Sequence, residues 1–170
     1  MRLSTTVLTC LLAVSVHSKA AESAFLASET AKLKIDTVAS GLSHPWGIAF
    51  LPDGRMLVTE RDGRLRIVSA DGKLGAPIAG LPPIAVNGQG GLLDVLLDKD
   101  FATNQKIYLS FAEPGPNNTN STAVLSATLQ DSKLENSQVI FSQTPKYDSK
   151  YHFGGRLVQE QSGNLFVTLG

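Results

Sequence analysis

Asp53-Gly54, Asp62-Gly63 and Asp71-Gly72 recur nine residues apart (62 − 53 = 9; 71 − 62 = 9), with short apolar runs between them. That spacing holds a strand of about six residues and one tight turn. Glycine supplies the positive φ such a turn needs, and aspartate tolerates the neighbouring position. Trp46–Leu51, Arg55–Glu60 and Arg64–Ser69 therefore read as three strands of a meander, with Ala76–Leu81 a weak fourth. No window beyond the first residues shows the 3.6-residue apolar period of an amphipathic helix. The expected fold class is all-β.

The pattern then repeats. Gly91–Asp98, Lys106–Ala112, Thr122–Leu129 and Gln138–Ser142 form a second set of four, broken after its second strand by the irregular stretch Glu113–Ser121. A third set opens with Gly155–Glu160 and Asn164–Leu169, joined at Ser162-Gly163. Residues 53–59 and 162–168 match in turn, strand start and closing Val-Thr at an offset of 109 (162 − 53 = 109), about two repeats of fifty-odd residues. Four strands at that period are the mark of β-propeller blades. About two and a half blades are present, whereas rings take about four to eight. Residues 21–170 are accordingly expected to be an incomplete propeller domain, the N-terminal blades of a longer protein. Lys34–Ala39, ahead of the first blade, is a candidate outer strand for the last blade of a complete ring.

Residues 1–20 read as a signal peptide: a basic start at Arg2, the apolar run Val7–Val16, and small residues at Ser18 and Ala20. The run is too short to span a bilayer. Cleavage removes Cys10, the chain's single cysteine, so the mature protein has no disulfide and is expected in the periplasm or secreted. The 15 basic and 15 acidic residues cancel and form no cluster, which argues against nucleic acid or anionic lipid as a partner.

In a propeller, the link from one blade's outer strand to the next blade's inner strand returns to the central channel. Three such approaches occur: Ser43–Gly47, Asn87–Gly91 and Tyr151–Gly155. They offer His44, Gln89 and His152 as neighbours around one mouth, with glycines beside them that let a flat ligand approach the backbone. An imidazole there can serve as a general base. Gly88–Gly91 is no phosphate loop, because no Lys-Ser/Thr and no helix follow it. A nucleophile elbow for serine hydrolysis, metal-ligand spacings and a calcium loop are all missing from the pattern.

The runs at His44–Arg61, Gly88–Val95, Ile107–Gly115 and His152–Val158 closely resemble soluble aldose sugar dehydrogenases of the glucose/sorbosone dehydrogenase family, which use pyrroloquinoline quinone (PQQ). The resemblance implies a six-bladed propeller of which this is about the first half. It further implies that His152 takes the proton from a sugar's anomeric hydroxyl while hydride passes to the quinone, and that Gln89 contacts the substrate. Tyr151 stands where the glucose-oxidising branch has an acidic residue, so a broad aldose range is expected, with Tyr151 and His44 as further substrate contacts. PQQ and calcium would be held mostly by later blades, and no cofactor or metal ligand is assigned here. An external electron acceptor is implied. The competing readings are a propeller lactonase or related hydrolase, which would need channel carboxylates for a metal, and a non-catalytic ligand-binding propeller, which would not need His152.

Overall fold

A computed structural model describes residues 23–170. The expected leader, with Cys10, lies outside the described residues. The chain divides into two compact units, Met1–Thr37 and Val38–Gly170. Within the first, β1 (Ser23–Ala27) and β2 (Lys32–Asp36) form a two-stranded antiparallel hairpin. The strand expected at Lys34–Ala39 thus starts earlier, and its partner is β1, which alternation alone did not single out.

The second unit is built from blades. β3 (Pro45–Phe50), β4 (Met56–Glu60), β5 (Arg64–Val68) and β6 (Leu74–Pro77) make one four-stranded antiparallel sheet in chain order. β7 (Leu92–Leu97), β8 (Lys106–Pro114), β9 (Asn120–Gln130) and β10 (Lys133–Ser142) make a second, and β11 (Leu157–Gln159) pairs with β12 (Leu165–Val167) to open a third. A single helical turn, α1 (Phe101–Asn104), joins β7 to β8. The fold is all-β, of the propeller class.

The Asp-Gly turns close alike. The amides of Gly54, Gly63 and Gly72 donate to the carbonyls of Leu51, Glu60 and Ser69 at 3.0, 2.9 and 2.9 Å, and the φ of each glycine lies between 83° and 90°. Gly163 repeats the bond to Glu160 at 3.0 Å. Where a boundary moved, a local bond accounts for it. β6 starts at Leu74 rather than Ala76 because the Asp71-Gly72 turn closes at once through Ser69 N–H to the Lys73 carbonyl. The stretch Glu113–Ser121 is less irregular than expected, since β8 and β9 pair out to Pro114 and Asn120 around one 3-10 turn at Pro116–Asn118.

Pleating sorts the core. On β8, Ile107, Leu109 and Phe111 point to the first blade and join Leu57, Leu65, Leu92 and Leu125 in one buried cluster. The alternate residues Tyr108 and Ser110 point the other way: the Ser110 hydroxyl donates to the Gly155 carbonyl of the third approach, and the Tyr108 hydroxyl donates to Asp98, which also accepts from Gln159 of the third blade. Inner strands of neighbouring blades lie side by side. A Cβ on Gly47 of β3 would sit 3.1 Å from the Asp94 Cα of β7, so only glycine allows that approach. Asp94 in turn accepts from the Leu157 amide of β11 at 2.9 Å. Gly47, Asp94 and Leu157 are therefore level, and the approach segments that precede them emerge at one end.

Candidate functional site

Gln89 and His152 meet at that end. The Gln89 Oε1 accepts from the His152 backbone N–H at 3.0 Å, and the Gln89 N–H donates to the Lys150 carbonyl at 2.8 Å. Residues 63 apart in sequence are thereby locked together, and the Gln89 Nε2 donors are left to meet a ligand. His152 sits at φ 62°, in the left-handed region that a non-glycine residue seldom occupies, with Gly154 and Gly155 beyond it at 64° and 88°. Strain of this kind collects at functional sites. The loop stays in place because Gly155 N–H donates to the Thr168 carbonyl at 2.8 Å and the Thr122 hydroxyl to the Phe153 carbonyl at 2.6 Å.

Two clefts flank this junction, and Phe153 borders both. One, of about 310 Å³, is lined by Trp46, Arg61, Gln89, Leu93, Phe153 and Gly154. The other, of about 260 Å³, takes in Tyr151 and His152. The Tyr151 and His152 rings are tilted at 56° with centroids 6.4 Å apart.

His44 does not join Gln89 in the first cleft. Its Nδ1 lies 3.2 Å from Asp62 Oδ1 and 3.1 Å from the Ser43 hydroxyl, which turn the ring toward the β4–β5 turn. The Ser43 hydroxyl, with help from His44, holds the Asp62 carboxyl below the usual carboxylate range against the opposing effect of burial.

Arg61 was missed by sequence reasoning and is central. Its N–H donates to the His44 carbonyl, its carbonyl accepts from the Leu92 N–H at 3.1 Å, and its guanidinium donates to the Gly88 carbonyl. It ties the first two approaches together and brings a cation to the cleft that holds Gln89. The available signal was its position, a lone arginine between the end of β4 and the Asp62-Gly63 turn. Asp94 and Arg156 were missed as well. The buried Asp94 carboxylate accepts from Arg156 Nη1 at 3.0 Å, and the Arg156 guanidinium lies 4.9 Å from the Trp46 ring centroid. Trp46 itself lines the cleft.

Among the described residues, no group of three or more His, Cys, Asp and Glu could hold a metal ion, and no helix is long and apolar enough to cross a membrane.

This arrangement has relatives of known activity. Residues 42–170 match the family model described as glucose/sorbosone dehydrogenase. The chain is 44% identical over 143 residues to the aldose sugar dehydrogenase YliI of Escherichia coli, covering 82% of this chain and 38% of that protein. A crystal structure of a glucose dehydrogenase superposes with a TM-score of 0.74 at 50% identity, over 76% of this chain and 39% of the other. The PQQ-bound aldose sugar dehydrogenase of Streptomyces coelicolor superposes with a TM-score of 0.69 at 27% identity, over 79% and 40%. The chain thus spans about two fifths of the length of these relatives. With its propeller blades and a family match over most of its length, the chain belongs to the glucose/sorbosone dehydrogenase family.

Proposed function

We propose that the complete protein is an exported quinoprotein that oxidises aldose sugars at the anomeric carbon to lactones and passes the electrons to an external acceptor. The observation that carries this reading is the Gln89–His152 bond, which fixes an imidazole-bearing loop against an amide side chain beside an open cleft.

The cleft suits part of a flat, anionic cofactor. Trp46 gives a planar wall, Gly154 lets a ring approach the backbone, and the Arg61 guanidinium keeps N–H donors beyond the one given to Gly88. Trp46 and Arg61 would hold that edge of PQQ, while groups in later blades would complete the site. PQQ, when bound, supplies the hydride acceptor. The His152 imidazole accepts the proton of the anomeric hydroxyl as the C1 hydride departs, and the C1–O bond becomes the lactone carbonyl. Gln89 Nε2 donates to a sugar oxygen and orients the ring. Tyr151, beside His152, adds a phenol for further hydroxyls, consistent with a broad aldose range. Calcium would be held by groups in later blades, since among the described residues no group of three or more His, Cys, Asp and Glu offers it a site.

The test uses the complete protein supplied with PQQ and calcium, read by dye-linked aldose oxidation. His152→Asn keeps a residue that tolerates the left-handed backbone and removes the base. Removing a general base costs about 10²–10⁴-fold, so kcat falls by that order while quinone binding, read by absorbance, persists. A rate within a few-fold of wild type would overturn the assignment. The 170-residue chain alone is expected to be inactive, and stoichiometric PQQ binding by it would contradict that.

A further inference from the structure

The chain has one Asn-Gly pair, Asn87-Gly88, and it lies in the approach that carries Gln89. Both residues are exposed. Their reacting atoms are unengaged: among the described residues, nothing bonds the Asn87 carboxamide or the Gly88 N–H. Asn104, by contrast, is held at both atoms of its amide, by Asp98 at 2.8 Å and by the Lys106 N–H at 2.8 Å. With no Cβ on residue 88, no side chain shields its nitrogen from Asn87 Cγ. Two neighbours favour loss of the proton from that nitrogen. The Gly90 N–H donates to the Asn87 carbonyl at 2.9 Å and draws electron density from the Asn87–Gly88 peptide. The Arg61 guanidinium, bonded to the Gly88 carbonyl, brings a positive charge to the same residue. Packing also keeps residue 88 a glycine, because its φ is 58° and a Cβ there would run into the Lys150 carbonyl oxygen.

We propose that Asn87 is a site of self-modification through which the protein slowly disconnects its own Gln89–His152 junction. The deprotonated Gly88 nitrogen bonds to Asn87 Cγ, the Cγ–Nδ2 bond breaks, and ammonia leaves with the proton, closing a succinimide ring. Water then adds to a ring carbonyl. Breaking the bond from the ring nitrogen to Cγ yields aspartate. Breaking the bond to the former main-chain carbonyl carbon yields isoaspartate, whose chain runs through Cβ and Cγ. Water is the only co-reactant, and nothing is oxidised or reduced. The isoaspartyl form has one extra methylene in the main chain just ahead of Gln89. The Gln89 N–H then cannot keep its 2.8 Å bond to the Lys150 carbonyl while Oε1 stays 3.0 Å from the His152 N–H. Either product also carries a carboxylate that competes with the Gly88 carbonyl for the Arg61 guanidinium. None of this depends on the sugar-oxidation reading.

The experiment ages the complete protein in mildly alkaline buffer, where the amide proton is lost more readily, and maps its peptides by mass spectrometry. The fragment holding Asn87 should gain the mass difference between an amide and an acid and split into two chromatographic forms. It should do so well before the fragments holding Asn104 or the exposed Asn117. Asn87→Ser should stay unmodified at this position. Hydrogen exchange reads the consequence. In aged wild type the His152 amide should exchange about five-fold faster, the size of one lost hydrogen bond, and in aged Asn87→Ser at the rate of the fresh protein. An Asn87 that converts no faster than Asn104 would overturn the site, and conversion that leaves His152 exchange unaltered would overturn the disconnection.

Discussion

Thr59 shows how one hydroxyl holds two blades at a fixed distance. It is fully buried, its Oγ1 accepts from the Gly47 N–H at 2.8 Å, and it donates to the Leu93 carbonyl of the next blade. Thr59→Val keeps the shape and strands both partners. Leaving buried groups unpaired costs about 1–3 kcal/mol, so chemical denaturation of the complete protein should show a loss of that order with an unchanged m-value. Asp98 carries a pH signature. Burial pushes its carboxyl up, but donors from Asn104, the Asp100 amide, Tyr108 and Gln159 outweigh that and hold it well below the usual carboxylate range. With the folded value below the unfolded one of about 3.9, the stabilisation is present above that pH and is lost as the pH falls toward the folded value. Its partner Tyr108, pushed up to about 12 by burial and by the Asp98 carboxylate, behaves oppositely. Its contribution is full below the unfolded tyrosine value of about 10 and fades as the pH climbs through 12. Unfolding free energies measured across pH should slope downward at both ends, and Asp98→Asn should remove its share of the acid slope while only reducing the alkaline one, because burial is the larger cause of the Tyr108 shift. An unchanged profile in that variant would refute the assignment.

β11 shows what holds a short strand in register when its own pairing is only three residues long. Leu157 N–H and Arg156 Nη1 both donate to the Asp94 carboxylate on β7, which also caps the Val95 N–H at 3.0 Å. Hydrogen bonds to a buried charge are worth about 1.5–3 kcal/mol. Asp94→Asn replaces one acceptor oxygen with a donor, so hydrogen exchange at the Leu157 amide should accelerate while amides in the β8–β9 ladder stay protected. Equal acceleration in both would mean that Asp94 stabilises the unit globally rather than seating β11. Bonds of this type were the part of the molecule least legible in the sequence. The turns were readable because Asp-Gly and Ser-Gly have one structural meaning between apolar runs, and the four-strand period followed from their spacing. That Gln89 and His152 lie together was legible because each precedes a strand that returns to the axis. Asp94, Ser110 and Thr122 look like the solvent face of a half-buried strand, and alternation cannot tell water from the next blade as their partner. Arg61 and Asn120 escaped for a similar reason: their partners, Gly88 and Ser149, are 27 and 29 residues away, and only the fold brings them within bonding distance.

The blades end in two apolar faces that point away from the core. On the first sheet, Ile48 and Phe50 stand opposite Val58 and Met56, on the face away from the buried Leu57, and Phe50 is 69% exposed. On the last, Val158 and Phe166 face each other across β11 and β12 and are both exposed, while Leu157 on the reverse is buried. Burying such faces yields about 25 cal/mol per Å², a gain forgone while they remain in water. The relatives are about twice as long as this chain, and we assign these faces to contact with further blades in the complete protein. The 170-residue chain on its own should then associate through them. Light scattering of the purified chain is expected to show concentration-dependent species larger than a monomer. Ile48→Lys with Phe50→Lys should shift that equilibrium toward monomer, because a charge on either face opposes its burial. The same pair of substitutions in the complete protein should lower its stability by more than in the short chain, since only there would both positions be covered. A short chain that stays monomeric at high concentration, or a complete protein indifferent to both lysines, would show that these faces are solvent surface and that the ring closes elsewhere.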